Sequence, residues 1–330
     1  MAVDTEPLDL TSRDWLADPY PAYARMRADG GLHRSRRWDA WFASGHDTCH
    51  AVFADDRFDA AGQPMLRMLQ AELLRGAESW RAPVFPSEGR GGDGLRAAGR
   101  RTTGRALGTP FVAGLWPAFE RACRETAAAA VAAGSVDLVR DYAIPLTTGL
   151  LADLMAVGEA ELPVFRAFAE SGYQPQADDA AARRVVRDVR QALAEQVVDR
   201  IKCPVDDFVG HLAANPRTFP GGQESGSGHL EYVLGTGLMV SLVTHQGLVL
   251  SFSTLMRALL DHPEQYALLR AEPGLVAGAV EEGLRFDSST QALGRRAKAD
   301  VELGGSTIPR EPGGVPDRVG QPGRAPVARR

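Results

Sequence analysis

Three cysteines, Cys49, Cys123 and Cys203, are the residues of this chain best able to ligate a soft metal or act as nucleophiles. They stand far apart, which suits neither a disulfide framework nor a zinc cluster, and points to a reducing compartment. Glu282 and Arg285 are three residues apart, so one helix face carries both. Such a pair can bond within itself and reach a neighbouring loop, and its plain reading is a solvated ion pair. Arg295, beside Arg296, reads as a surface arginine. His245 lies inside a long apolar stretch, followed by Gln246 and Gly247. A lone histidine there reads as a core residue rather than a ligand. No residue set has the spacing of a metal centre.

The elements that position these residues are read from composition and period. The chain has 330 residues, 44% hydrophobic and 24% charged, an ordinary soluble composition with ample material for a core. A net charge of −5 gives no electrostatic case for nucleic acid or an anionic membrane. The acidic, polar N-terminus does not read as a signal peptide, so a cytoplasmic location is expected. Residues 1–13 read as irregular. A short helix follows Asp18-Pro19 and ends at Asp29-Gly30-Gly31. DAWFAS reads as a strand of a small β region, and Gly45-His46-Asp47 starts a helix running to Ala54. Residues 81–99, rich in Gly and Pro, read as a loop. Helices dominate from there. One carries Leu115, Phe119, Ala122 and Ala129 on a single face and closes at Gly134, and two more flank Pro145. After a linker-like stretch at 214–228 comes the longest apolar segment, whose Gly235, Gly237 and Gly247 and inner His245 and Gln246 suit a buried central helix rather than a membrane span. A helix through EEGLRF and short strands to Ile308 complete the pattern, and residues 310–330 read as an irregular tail.

Several of these stretches, in this order, resemble bacterial cytochrome P450 proteins. DPYPAYARMRADGGLHR with AVFADDRF resembles the family's N-terminal region. VDLVRDYAIPLTTGLLADLMAVGEAE resembles its middle helices. HPEQYALLRAEP followed by AVEEGLRFDSSTQALGRRAKADVELGGSTIP resembles the region around its ExxR helix. The likeness covers nearly all of residues 14–309, which are expected to form one domain. It implies a mainly α fold with a small β region, of cytochrome P450 type and C-terminally incomplete. It also implies that Glu282 and Arg285 are the ExxR pair, in a buried Arg–carboxylate network. Arg295 is then at the position of an arginine that pairs with a haem propionate, a task suited to guanidinium. Arg96 and Arg100 fall on the helix that faces haem through a His/Arg pair, here without the histidine.

The family needs a cysteine thiolate as axial iron ligand, in a loop after the ExxR helix. No cysteine follows Cys203. The oxygen-activation position, an acid or amide followed by threonine in the family, holds Gln246 and Gly247. No catalytic residue and no haem are therefore expected of the chain as written. The tail begins where the family continues with a strand and ANRD. With one choice of synonymous codons and one base dropped, residues 314–326 become VFLIGSANRDER, so a frameshift near Arg310–Gly313 is expected. Actinobacterial pathways contain P450-like proteins that have lost the haem cysteine and activate a glycosyltransferase, and the chain is similar to these. The leading expectation is such a non-catalytic accessory protein of secondary metabolism and antibiotic biosynthesis. Two alternatives stand beside it. One is a haem-dependent monooxygenase, its sequence cut short by the frameshift, that takes electrons from a ferredoxin and oxidises a small apolar substrate. The other is a decayed product without function.

Overall fold

A computed structural model describes residues 12–35, 40–59, 104, 107–170, 179–214, 226–310 and 317–320. The chain divides into two compact units, Met1–Leu69 with Thr254–Arg330, and Gln70–Ser253.

In the first unit, α1 (Arg13–Ala17) starts on the last residue expected to be irregular, because the Ser12 hydroxyl accepts from the Trp15 amide and caps it. Helix α2 (Tyr20–Ala28) begins after Pro19, which is its N-cap; Pro21 is the proline of its first turn. Its end is set by Gly31 at φ +76°, where a side chain would also press on the Gly45 amide nitrogen at 3.2 Å. Strands β1 (Leu32–Ser35) and β2 (Ala40–Ala43) pair antiparallel, Leu32 opposite Ala43 and Ser35 opposite Ala40. Helix α3 (His46–Ala54) follows with Gly45 as N-cap, then the two-residue β3 (Phe58–Asp59). Two apolar clusters hold these pieces. Leu32, Ala43, Cys49 and Val52 pack with Trp41, Phe58 and Leu303. Tyr23, Met26, Ala40 and Phe42 pack with Trp15 and Tyr20. Each large side chain buried this way contributes about 1.5–3 kcal/mol.

The second unit is helical in its described residues. Helix α4 (Thr109–Ala133) ends at Gly134, whose left-handed φ of +75° any other residue would resist. Its expected buried face is shallower than the spacing implies. Leu115, Phe119 and Ala122 are half-buried and Ala129 is exposed. A π-helical turn (Leu138–Ala143) leads into α5 (Ile144–Met155), with Pro145 in its first turn, where a missing N–H costs nothing. Then come α6 (Leu162–Glu170), α7 (Asp179–Lys202) and α8 (Phe208–Ala213). Helix α7 buries Val189, Leu193 and Val197, one stripe of fourfold spacing on an otherwise charged helix.

Helix α9 (Gly226–Asp261) runs from the second unit into the first. Val233, Leu234, Leu238, Leu242, His245 and Val249 are buried along it. By length and apolarity alone its 233–261 portion could cross a membrane. Its buried Ser241 and His245 and its many buried apolar positions fit a core helix instead. In the first unit, α10 (Pro263–Ala271) and α11 (Val276–Phe286) lead to β4 (Ala292–Ala297) and the hairpin β5 (Val301–Leu303) and β6 (Ser306–Ile308). The tail expected to be irregular contributes a strand, β7 (Asp317–Gly320), antiparallel to β4, so the sheet order is β3-β4-β7. Its period was too short to read, because register comes from the partner strand and not from the four residues themselves.

Candidate functional site

The central turn of α9 carries the first group of site residues. His245 is fully buried, and its Nε2 lies 3.2 Å from the Thr148 hydroxyl of α5. Burial holds the imidazole pKa below its ordinary value; Glu170 works against this and Arg166 with it. The Gln246 amide reaches the Ala169 carbonyl of α6 at 3.4 Å, so its side chain is directed at the protein backbone. Gly247 faces open space, with nothing within 4 Å of where a Cβ would stand. This turn therefore offers one neutral imidazole, one backbone-directed amide and no hydroxyl at Gly247. Thr148 is the partner that sequence reasoning missed, since 97 residues separate it from His245.

Glu282 and Arg285, expected to be the ExxR pair, lie on α11. Arg285 donates to Glu282 through two parallel bonds, Nε to Oε2 at 2.8 Å and Nη2 to Oε1 at 2.7 Å. The expected burial of this pair does not hold: the side chains are 42% and 54% exposed. The pair keeps its bidentate geometry because an i,i+3 spacing suffices for it. The buried carboxylate nearby is Asp287, one residue past α11. It accepts from the Tyr20 hydroxyl at 2.7 Å and pairs with Arg257. Tyr23 donates to the Gln291 carbonyl at 2.8 Å, and the Gln291 amide donates to the Ser288 carbonyl at 2.6 Å. This network fixes the segment between α11 and β4, and no local pattern around Asp287 marked it.

Arg295 lies on β4. Its guanidinium carbon sits 4.5 Å from the centroid of the Phe53 ring, and its Nη1 donates to the Gly294 carbonyl at 2.9 Å. A cation over a ring face is held electrostatically, and here a helix of the same unit supplies the ring. Arg96 and Arg100 lie outside the described residues.

The three cysteines stand in three different environments. Cys49 is buried on α3, donates to the Ala43 carbonyl at 3.4 Å, and has its thiol pKa pushed up to about 11 by burial. Cys123 on α4 has its pKa raised, by burial first and then by Glu120, while a hydrogen bond with Tyr142 opposes the rise. Cys203 is exposed just past the end of α7. Cys49 is turned inward to the Ala43 carbonyl, and none of the three cysteines stands in a loop after α11, where the axial thiolate is expected. Among the described residues no group of three His, Cys, Asp or Glu could hold a metal ion. These residues do not fit a haem–thiolate centre, and no step of oxygen chemistry is assigned to them.

No family model matches the chain. Individual proteins do. It is 29% identical over 309 residues to the cytochrome P450 monooxygenase PikC of Streptomyces venezuelae, a match covering 92% of this chain and 71% of the relative. It is 26% identical over 296 residues to the 20-oxo-5-O-mycaminosyltylactone 23-monooxygenase of Streptomyces fradiae, covering 88% of this chain and 67% of the relative. The crystal structure of CalO2 superposes with a TM-score of 0.76 at 23% identity, covering 96% of this chain and 77% of CalO2. The mainly helical fold with its small β region is thus a cytochrome P450 fold. The chain belongs to the cytochrome P450 superfamily, among its bacterial members.

Proposed function

We propose that this chain is a haem-free P450-fold accessory protein that binds and activates a glycosyltransferase of bacterial secondary metabolism, of the antibiotic-forming kind. The observation that carries this reading is the placement of the cysteines. Cys49 is buried with its thiol on the Ala43 carbonyl, and all three cysteines precede Glu282 and Arg285. Gly247, without a hydroxyl where oxygen activation would use one, supports it further. Activation would act by population shift: the accessory protein binds the transferase's active conformation more tightly than its resting one. Such a protein works in the cytoplasm and needs neither a membrane nor nucleic acid.

The second reading is a haem-dependent monooxygenase supplied by a ferredoxin. It is favoured by the printed activities of the relatives. On that reading a frameshift removes the C-terminal portion of the fold, and the axial cysteine lies in another frame of the gene. One experiment separates the two. The chain is expressed alone and together with the glycosyltransferase of its gene neighbourhood, and Soret absorption and transferase activity are recorded. Soluble, haem-free protein that raises transferase activity is the expected result. A carbon monoxide difference band at the thiolate position overturns it. Protein insoluble in both preparations also overturns it, in favour of a decayed product.

A further inference from the structure

His46 and His50 lie four residues apart on α3, so one face of the helix carries both imidazoles. Their rings are 20° from parallel, with centroids 6.4 Å apart. Both residues are exposed. The Asp47 carboxylate stands 3.0 Å from His46 Nδ1. We propose that His46 and His50 form a two-imidazole chelate for a late first-row divalent cation: Ni2+, Cu2+ or Zn2+.

The chemistry follows from the geometry. A carboxylate on Nδ1 favours the tautomer that leaves the Nε2 lone pair for a metal, the arrangement that metal-binding histidines commonly take from a second partner. Metal–nitrogen bonds of about 2.0–2.1 Å bring the two rings together through side-chain rotation, with the helix backbone left as it is. Cys49 lies between the two in sequence, but its thiol points inward to the Ala43 carbonyl and takes no part. The positive end of the α3 dipole lies at His46, which weakens cations held by charge alone. Imidazole donors favour copper, nickel and zinc over magnesium and calcium, so selectivity falls on the late transition ions. Water completes the coordination. The site belongs to the first unit and requires neither haem nor the glycosyltransferase.

The test is calorimetric titration of the untagged full chain with NiCl2, CuCl2, ZnCl2 and CaCl2, with copper electron paramagnetic resonance as a second readout. One saturable site for the three transition ions and none for calcium is expected, with two nitrogens coupled to copper. His46→Ala and His50→Ala should each weaken binding at least tenfold, and Asp47→Asn by about tenfold. His262→Ala, at an exposed histidine between α9 and α10, should leave it unchanged. The substituted positions are exposed, and circular dichroism of the metal-free variants checks that the fold is kept. Absence of saturable binding overturns the proposal. So does full affinity in either single-histidine variant, or calcium binding of equal strength.

Discussion

Arg285 grips Glu282 through two parallel bonds on the open side of α11. The bond to Arg285 holds the Glu282 carboxyl below its ordinary pKa. Both side chains are more than a third exposed, so solvent screens most of that effect. Glu282→Gln should therefore change stability by about 0–1 kcal/mol, measured by urea denaturation. A buried ExxR network would cost several times more on losing one partner. A loss above about 3 kcal/mol would mean that the pair is covered in solution, and the exposed arrangement would be wrong.

Asp287 is the carboxylate on which more depends. It is buried, takes the Tyr20 hydroxyl on one oxygen and pairs with Arg257 on the other. Asp287→Ala leaves a tyrosine hydroxyl and a guanidinium without their acceptor. Hydrogen bonds to charged groups are worth about 1.5–3 kcal/mol, and Arg257 is 58% exposed, so water compensates part of its loss. A destabilisation of about 2–3 kcal/mol is expected in denaturant titration. Tyr20→Phe should cost less, about 1 kcal/mol, because it removes a neutral hydroxyl, which donates to Asp287 and accepts from the Gln291 amide, and leaves the pair with Arg257 in place. Equal effects of the two substitutions would contradict this ordering.

His245 gives stability a dependence on pH whose sign is fixed by burial. The folded state holds the imidazole below its ordinary value of 6.5. Above that value both folded and unfolded chains keep the ring neutral, and the full stability is present. As pH falls below it, the unfolded ensemble takes the proton first, so stability drops until the folded ring also protonates. His245→Gln, which can still meet Thr148, should flatten this part of the curve. Thermal midpoints of both proteins between about pH 8 and pH 5 check it. Parallel curves would show that His245 does not contribute.

Much of the architecture is legible in sequence because it rests on local signals. The helix over His46–Ala54, the strand over Ala40–Ala43 and the stop at Gly134 follow from caps, alternation and a left-handed glycine. What stays hidden depends on distant partners. Thr148 and His245 are 97 residues apart, and Tyr20 and Asp287 are 267 apart. The ring of Phe53 under Arg295 is equally remote. Strand β7 takes its register from β4 and carries no period of its own. The exposure of Glu282 and Arg285 was hidden for another reason: spacing fixes which residues share a helix face, while what packs against that face is decided elsewhere in the chain.

Two glycines of the site helices make opposite predictions from the same substitution. At Gly247 a Cβ meets nothing within 4 Å, so Gly247→Ala removes backbone entropy without strain. A gain of up to about 1 kcal/mol is expected, and Gly247→Thr, which brings in a hydroxyl, should fold as well as the parent. At Gly283, beside Glu282 on α11, a Cβ collides with the Leu255 side chain, whose Cγ and Cβ stand at 3.3 and 3.4 Å. The flexible end of Leu255 can turn away, but its Cγ must also give by a few tenths of an ångström, which presses on the packing of α9 against α11. Overpacking of this kind costs about 1–3 kcal/mol, which outweighs the propensity gain of replacing glycine in a helix. Thermal midpoints should therefore rise for Gly247→Ala and fall for Gly283→Ala. A rise for both would mean that the close approach of Leu255 to α11 is not held in solution.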